Sequence, residues 1–328
     1  MTAHSPAVLC IKKNHFLESF ATSLIVADPR VRLLIYDGFT DLLVKLRPVG
    51  TNSKIIFYVP EFYLLLLIFR YYLKFNFYYF VHEPRISFSR SPSVKFFFAY
   101  KVWLFLISLS CNPIFLSFYG LSLGRIGKKR PIVIPLLFDN PSNTLALDLK
   151  KEKKFDVVMW GSLNTEKGLD RFISFASAFP NLSFGVLARK NARLVELRES
   201  LMKLPNLDWD LREDYIPDIE IFKFVQSGKI AFLCQRESTQ SAQLPLALSL
   251  GLPVVTSDCG SFPEFIGIAK FSRCFFNGLS DDALSKELGQ HIPIILSNLS
   301  AASEEAFDFY NDNFDPRMVE FADWSNQL

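Results

Sequence analysis

Residues 155–172, FDVVMWGSLNTEKGLDRF, decide how the chain folds. Phe155 to Trp160 is an apolar run of strand length, and Gly161 ends it. Ser162 to Thr165 is loop chemistry. Glu166-Lys167-Gly168 then opens an amphipathic segment from Leu169 to Phe179. The pattern predicts strand, tight loop, helix. In an open α/β sheet such a loop lies at the carboxyl end of a strand, where ligands bind. Helix-start N–H groups together with the Lys167 ammonium favour an anion such as a diphosphate. The plainer alternative is an ordinary βα turn with a solvated lysine.

The 328 residues exceed the size at which single cores stop growing, so two domains are expected. Half the residues are hydrophobic and 34 are Phe, which excludes a disordered chain. The charge is lopsided. Residues 1–150 carry 18 Lys and Arg against 8 Asp and Glu, a net +10; the remainder carries 18 against 25, a net −7, for +3 overall. A basic, aromatic first half suits an anionic partner: a membrane surface, a phosphorylated lipid or, less well, nucleic acid. Drift of composition between two domains gives the same asymmetry.

Cys10, Cys111, Cys234, Cys259 and Cys274 are scattered, odd in number and without a CxxC pair, which predicts buried thiols in a reducing compartment. The four histidines lack metal-ligand spacing, so no metal site is expected. Met1 to Ala7 is short and polar, and no signal peptide is expected there.

Working outward, the first half reads as alternating strands and helices. Strands are predicted at Ala7–Ile11, Val31–Tyr36, Lys54–Val59 and Phe75–Val81, with helices at Phe16–Ala27, Asp41–Leu46 and Glu61–Leu73. That alternation predicts a parallel sheet wound by helices. Lys12-Lys13-Asn14-His15 is the loop after the first strand, and His82-Glu83-Pro84 follows the fourth. Val94 to Cys111 is strongly apolar. A membrane span over Val102–Phe118 is near the lower length limit. A helix lying on lipid, with Lys95 and Lys101 among aromatic residues, is the better reading, and a very apolar core helix is its equal. Strands are also expected at Pro113–Ser117 and Pro131–Leu137. The basic run Gly124 to Arg130 touches lipid head groups or is simply solvated. Asp139 to Lys154 reads as the linker between domains. His82, at a strand end, is placed to contact a sugar or move a proton near neutral pH; a hydrogen-bonded structural histidine is the plainer reading.

The second half repeats the architecture. Strands are predicted at Leu182–Leu187, Asn206–Trp209, Lys229–Cys234 and Pro253–Thr256, with helices at Asn191–Leu204, Asp218–Val225, Leu244–Leu250 and from Phe262. The loops are Ala188-Arg189-Lys190, Gln235 to Gln243 and Ser257 to Ser261. Helices close the chain at Ala283–Leu296, where Pro293 is expected to kink or split the segment, and at Ala301–Tyr310. Phe314, Met318, Phe321 and Trp324 fall at near-helical spacing as a stripe that needs a dock.

Two pieces of this half together resemble the donor-nucleotide domain of family-4 glycosyltransferases with the GT-B fold. One is strand-Gly161-x-Leu163-x-x-Glu166-Lys167-Gly168-helix; the other runs from Leu250 through Gly260 to Glu264. The likeness covers residues 155–266. The first half shares layout, His82-Glu83-Pro84 and Pro131 to Asp139. The resemblance implies two Rossmann-like α/β domains facing a cleft: an acceptor-side domain over 1–145, a nucleotide-sugar domain over 150–312, and a final helix over 313–328 crossing back. It implies transfer of a sugar from a nucleotide-sugar, with retention, without metal or other cofactor. His82 takes the catalytic position. Donor contacts fall at Gly161, Ser162, Lys167, Arg189, Arg236, Glu237, Ser238, Thr239, Gln240 and Ser241. Lysine at position 167 binds the donor diphosphate, where a cation stabilises the charge on the leaving group.

The departures are specific. Ser162 stands where the family has arginine. Two glutamates eight positions apart are replaced by Ser238 and Leu246, with Glu237 one residue off. Lys12 to His15 stands for a glycine pair, so Lys13, Asn14 and His15 are candidate phosphate or acceptor contacts. The resemblance and the basic first half imply a cytoplasmic enzyme at the inner membrane face. It would act on a glycan or lipid-linked acceptor in cell-surface polysaccharide synthesis. A non-catalytic relative that binds glycan, nucleotide or a partner transferase is the second reading, and a sugar-nucleotide epimerase the third.

Overall fold

The computed structural model describes residues 7–12, 15–57, 64–71, 74–81, 102, 111–115, 132–134, 136–141, 153–161, 163, 166–189, 201–238, 241–267 and 269–317. The chain divides into two compact units. The first comprises Met1–Asp139 with Phe314–Leu328, and the second Asn140–Asn313.

In the first unit the order is β1 (Ala7–Lys12), α1 (His15–Ala27), β2 (Val31–Tyr36), α2 (Phe39–Leu46), β3 (Lys54–Phe57), α3 (Leu64–Tyr71), β4 (Asn76–Val81), β5 (Asn112–Phe115) and β6 (Ile132–Val133). The sheet order is β2-β1-β3-β4-β5-β6, and every pair is parallel. The strand order therefore reverses between β1 and β3, the switch point of a flavodoxin-like sheet. The β-branched and aromatic side chains of β1, β3 and β4 meet helices on the sheet face. Cys10, Ile55, Phe57, Phe77 and Tyr79 are buried there with Leu42, Leu46 and Leu67. Phe57 and Phe77 stack with ring centroids 6.1 Å apart.

Two expectations change. Pairing of the sixth strand covers only Ile132–Val133, not Pro131–Leu137. A membrane span over Val102–Phe118 is excluded, because Asn112–Phe115 is a strand between β4 and β6 with its backbone groups committed to the ladder. Among the described residues no helix is long and apolar enough to cross a membrane. Apart from Val102 and Cys111, the stretch Val94–Cys111 and the basic run from Gly124 lie outside the described residues. The chain returns to this unit at Phe314, whose carbonyl accepts from Phe138 N at 3.0 Å, while Arg317 pairs with Asp139 at 2.9 Å. Phe314 is buried. The remainder of the expected closing helix lies beyond the described residues.

The second unit runs β7 (Phe155–Gly161), α4 (Leu169–Ala178), β8 (Phe184–Arg189), β9 (Leu207–Arg212), α5 (Asp218–Gln226), β10 (Gly228–Leu233), α6 (Gln243–Ser249), β11 (Val254–Ser257), α7 (Phe262–Ile266), β12 (Arg273–Phe275), α8 (Asp281–Ser297) and α9 (Leu299–Asn313). Its all-parallel order β12-β11-β10-β7-β8-β9 is the doubly wound Rossmann arrangement, reversing between β7 and β10. Phe172 and Phe175 of α4 pack edge-on against Phe184 of β8, at 5.5 and 5.3 Å between centroids. Phe172 also meets Phe232 of β10 at 5.1 Å. These rings clamp α4 across the strands at the switch point.

The short strand β12 was not read from the sequence. Its three residues lack an apolar run and join the sheet only by pairing with β11. Pro293 does not split the helix there; α8 is continuous from Asp281 to Ser297. Leu284, Leu288, Ile292 and Ile295 anchor one face in the core. Pro293 itself is exposed. Ser280 caps the start, its Oγ accepting from Ala283 N at 3.3 Å.

The amino ends of the strands are tied by Asp156. Its Oδ2 accepts from Ser183 N and Oγ at 2.8 and 2.9 Å, and its Oδ1 from Lys229 Nζ at 2.8 Å. Burial works to raise the Asp156 pKa, but the Lys229 and Ser183 hydrogen bonds outweigh it and hold the carboxyl below its ordinary value. A depressed folded-state pKa contributes stability above the unfolded value, lost as pH falls through the folded one. Asp156→Asn should therefore flatten the acid limb of stability between about pH 5 and 3, measured by urea denaturation across pH, and leave the curve above pH 6 parallel to wild type.

Candidate active site

The carboxyl ends of β7 and β10 flank the switch point, and three loops meet there. The first links β7 to α4. Gly161 has φ +103° and Gly168, the N-cap of α4, has φ +79°. A Cβ on Gly168 would lie 2.2 Å from the carbonyl oxygen of Cys234. Glycine here lets the start of α4 press against the end of β10. That contact brings Lys167, one residue earlier, beside the second loop.

Lys167 Nζ donates to Gln235 Oε1 at 3.0 Å. Gln235 is 1% exposed, a polar residue buried directly after an apolar strand. Its Nε2 donates to Gln243 Oε1 at 2.9 Å and Ser241 Oγ at 3.3 Å. Gln243 Nε2 in turn donates to the Trp160 carbonyl beside Gly161. The third loop, after β11, reaches the same residue: Ser257 Oγ and Cys259 Sγ both donate to the Gln235 carbonyl, the thiol at 3.3 Å. The loop backbones are also joined, with Arg236 N and Glu237 N donating to the Glu166 carbonyl at 2.7 and 3.3 Å.

A charged brace lies beside this cluster. Arg236 Nη2 donates to Asp170 at 2.7 Å and Asp281 at 2.9 Å, joining the starts of α4 and α8. Burial opposes the Arg236 charge, but the two carboxylates more than offset it and raise its pKa. Arg171, 2% exposed, donates from Nη1 to Asn277 Oδ1 at 2.7 Å and from Nη2 to its carbonyl at 2.6 Å. Asn277 Nδ2 returns a bond to the Arg236 carbonyl at 2.8 Å, and Asn277 N donates to Asp258 at 2.6 Å. These three loops and the loop after β12 form one hydrogen-bonded rim.

All five cysteines are free. Burial raises the Cys259 pKa, partly countered by its hydrogen bond with Ser257 and the Lys167 charge. Cys259 is therefore a neutral thiol donor, not a thiolate nucleophile. No group of three or more His, Cys, Asp or Glu arranged for a metal occurs among the described residues.

Of the expected donor contacts, Gly161, Lys167 and Ser241 fall in this cluster. Arg236 is adjacent, but its guanidinium is engaged by carboxylates. Glu237 is exposed and Ser238 half-buried on the same loop. Arg189 ends β8, exposed, in register with Arg212 on the side of β7 away from β10. Ser162, Thr239, Gln240, Lys13, Asn14 and His82 lie outside the described residues; His15 is the first residue of α1. Leu246 is a core residue of α6, 6% exposed. Gln235, Gln243, Asn277 and Arg171 were not singled out in the sequence. The available signal was a glutamine directly after the apolar run Ala231–Cys234, where a buried amide must find partners.

No family model and no curated protein matches the sequence. Solved structures do match. HepE from Anabaena in complex with UDP-glucose superposes with a TM-score of 0.67 at 14% identity, over 99% of this chain and 100% of that one. A glycosyltransferase from Rickettsia africae ESF-5 gives 0.68 at 11%, over 99% and 98%. The GtfA/B complex gives 0.63 at 13%, over 87% of this chain, which spans 58% of that chain's length. With two parallel α/β sheets in two units, these matches place the chain in the two-domain GT-B fold. Gly168→Ala should cost at least about 2 kcal/mol in chemical denaturation, from the left-handed φ and the clash with the Cys234 carbonyl.

Proposed function

We propose that this chain is a glycosyltransferase of the family-4 type, moving a hexose from a nucleotide-sugar to a glycan or lipid-linked acceptor. The observation that carries the reading is Lys167. Its ammonium sits just before the N-terminus of α4, at the switch point of a Rossmann sheet, held by a buried amide. Cleaving the bond between sugar and nucleotide leaves new negative charge on the departing diphosphate. A fixed ammonium and the free N–H groups of a helix start stabilise that charge as it forms. In this reading no metal is needed, because protein groups meet the diphosphate charge. HepE, of the same fold, binds UDP-glucose, which supports a nucleoside diphosphate-sugar as donor.

His82 follows directly on Val81, the last residue of β4, and is assigned to the acceptor or reacting sugar. The basic, aromatic first half favours a lipid-linked acceptor at the inner membrane face, in assembly of cell-surface polysaccharide. The second reading, a non-catalytic relative, draws on Leu246: a buried leucine stands where the family carries a glutamate and accepts no hydroxyl hydrogen bond.

Incubation with a panel of UDP-, GDP- and TDP-sugars, assayed for release of the diphosphate, tests the proposal. Turnover of at least one donor is expected. Lys167→Ala should reduce turnover by about 100-fold or more in protein that remains folded at the assay temperature. Nucleotide binding without turnover of any donor would establish the non-catalytic reading instead.

A further inference from the structure

The outer edge of the second sheet carries a cavity that shares no residue with the Lys167 cluster. β12 is last in the strand order and pairs only with β11. Beside it, between the end of α7 and the second half of α8, the cavity encloses about 430 Å³, and its lining includes Ile266, Lys270, Arg273, His291 and Ile294. That volume is ordinary for a small-ligand pocket, about 300–1,000 Å³. From Ile266 to Phe275 the sequence holds two cations, Lys270 and Arg273, and no carboxylate, in a half of the chain whose net charge is negative. Among the described residues neither cation forms an ion pair. Each lies over a phenyl ring instead: Lys270 Nζ is 4.9 Å from the centroid of Phe271, and the Arg273 guanidinium is 5.1 Å from that of Phe275. Glu305 of α9 engages the backbone of this segment. Its Oε2 accepts from Lys270 N at 2.6 Å, and its Oε1 from Phe271 N and Ser272 N at 2.8 and 3.1 Å. The backbone that presents the two cations is therefore fixed before any ligand arrives.

His291 supplies a third group. It is 6% exposed, and its Nε2 lies 2.7 Å from the Phe271 carbonyl. A carbonyl oxygen only accepts, so Nε2 carries the hydrogen. Burial lowers the His291 pKa, which favours the neutral ring and leaves Nδ1 a bare acceptor. Nδ1 has no partner among the described residues. The unpaired side-chain atoms sealed from solvent there are Asp170 Oδ1 and Arg171 Nε, so Nδ1 keeps access to open space, and the ring lines the cavity. Two cations alone suit any small anion; an acceptor beside them asks for a hydroxyl on the same ligand. We propose that this cavity binds a small hydroxylated phosphate ester, with its phosphoryl group on Lys270 and Arg273, a hydroxyl donating to His291 Nδ1, and its carbon skeleton against Ile266 and Ile294. The site is separate from the donor site and does not rest on that reading.

The test is calorimetry of the full chain at low ionic strength with glucose 6-phosphate, glycerol 3-phosphate, inorganic phosphate and glucose. At least one ester is expected to bind about fivefold or more tightly than inorganic phosphate, the effect of one added hydrogen bond, and glucose is expected not to bind. Lys270→Ala and Arg273→Ala should each weaken the ester and inorganic phosphate alike by about tenfold, as loss of a charge-assisted contact predicts. His291→Phe should bring the ester down to the level of inorganic phosphate and leave inorganic phosphate unchanged. Binding should persist in Lys167→Ala; loss there would move the ligand to the donor site and overturn the proposal. A wild type that binds neither ester overturns it, as do Lys270 and Arg273 variants with wild-type affinity. If His291→Phe fails to fold, those two variants of exposed residues decide together with the preference for ester over inorganic phosphate, and absence of either effect overturns the proposal.

Discussion

One buried amide holds the functional end of the second unit together. Gln235 stands two residues past the end of β10, where a polar side chain with 1% exposure needs partners for all its groups. Its side chain finds them on two segments, Lys167 ahead of α4 and Ser241 and Gln243 at the start of α6, while its backbone carbonyl accepts from Ser257 and Cys259 at the end of β11. Without those bonds, the desolvated amide would cost about 1–3 kcal/mol for each unsatisfied group. Satisfying the amide therefore fixes the loops, and the fixed loops locate the ammonium.

The sheet makes that convergence possible. In the order β12-β11-β10-β7-β8-β9, β7 and β10 are neighbours whose connections leave in opposite directions. Their carboxyl ends open a crevice that the backbone does not fill. The aromatic clamp of Phe172, Phe175, Phe184 and Phe232 presses α4 onto the strands beneath it. Gly168 allows the helix start to touch the Cys234 carbonyl. At the other end of the strands Asp156 ties β7, the approach to β8, and β10. Polar groups tie the strands together at one end and join the loops around the switch point at the other.

Charge is divided with similar economy. Arg236 and Arg171 lie beside the cluster, yet Asp170, Asp281 and Asn277 engage their guanidinium groups. They brace the starts of α4 and α8. Lys167 donates to a neutral amide, the Gln235 side chain.

The sequence by itself determined the class of architecture. Apolar runs of strand length alternating with amphipathic segments, punctuated at Gly161, Gly168 and Gly251, dictate parallel α/β units because local periodicity and backbone freedom are properties of neighbouring residues. It also determined Lys167 as a cation at a βα turn. Tertiary structure decided what lies far apart in sequence. The partner of Lys167 is 68 positions away. The role of Arg236 depends on carboxylates 66 and 45 positions away. The membership of β12 rests on its pairing with β11, and the continuity of α8 through Pro293 on which face the core takes. Each of these is settled by which distant groups are desolvated together, and that is a property of the packed sheet alone.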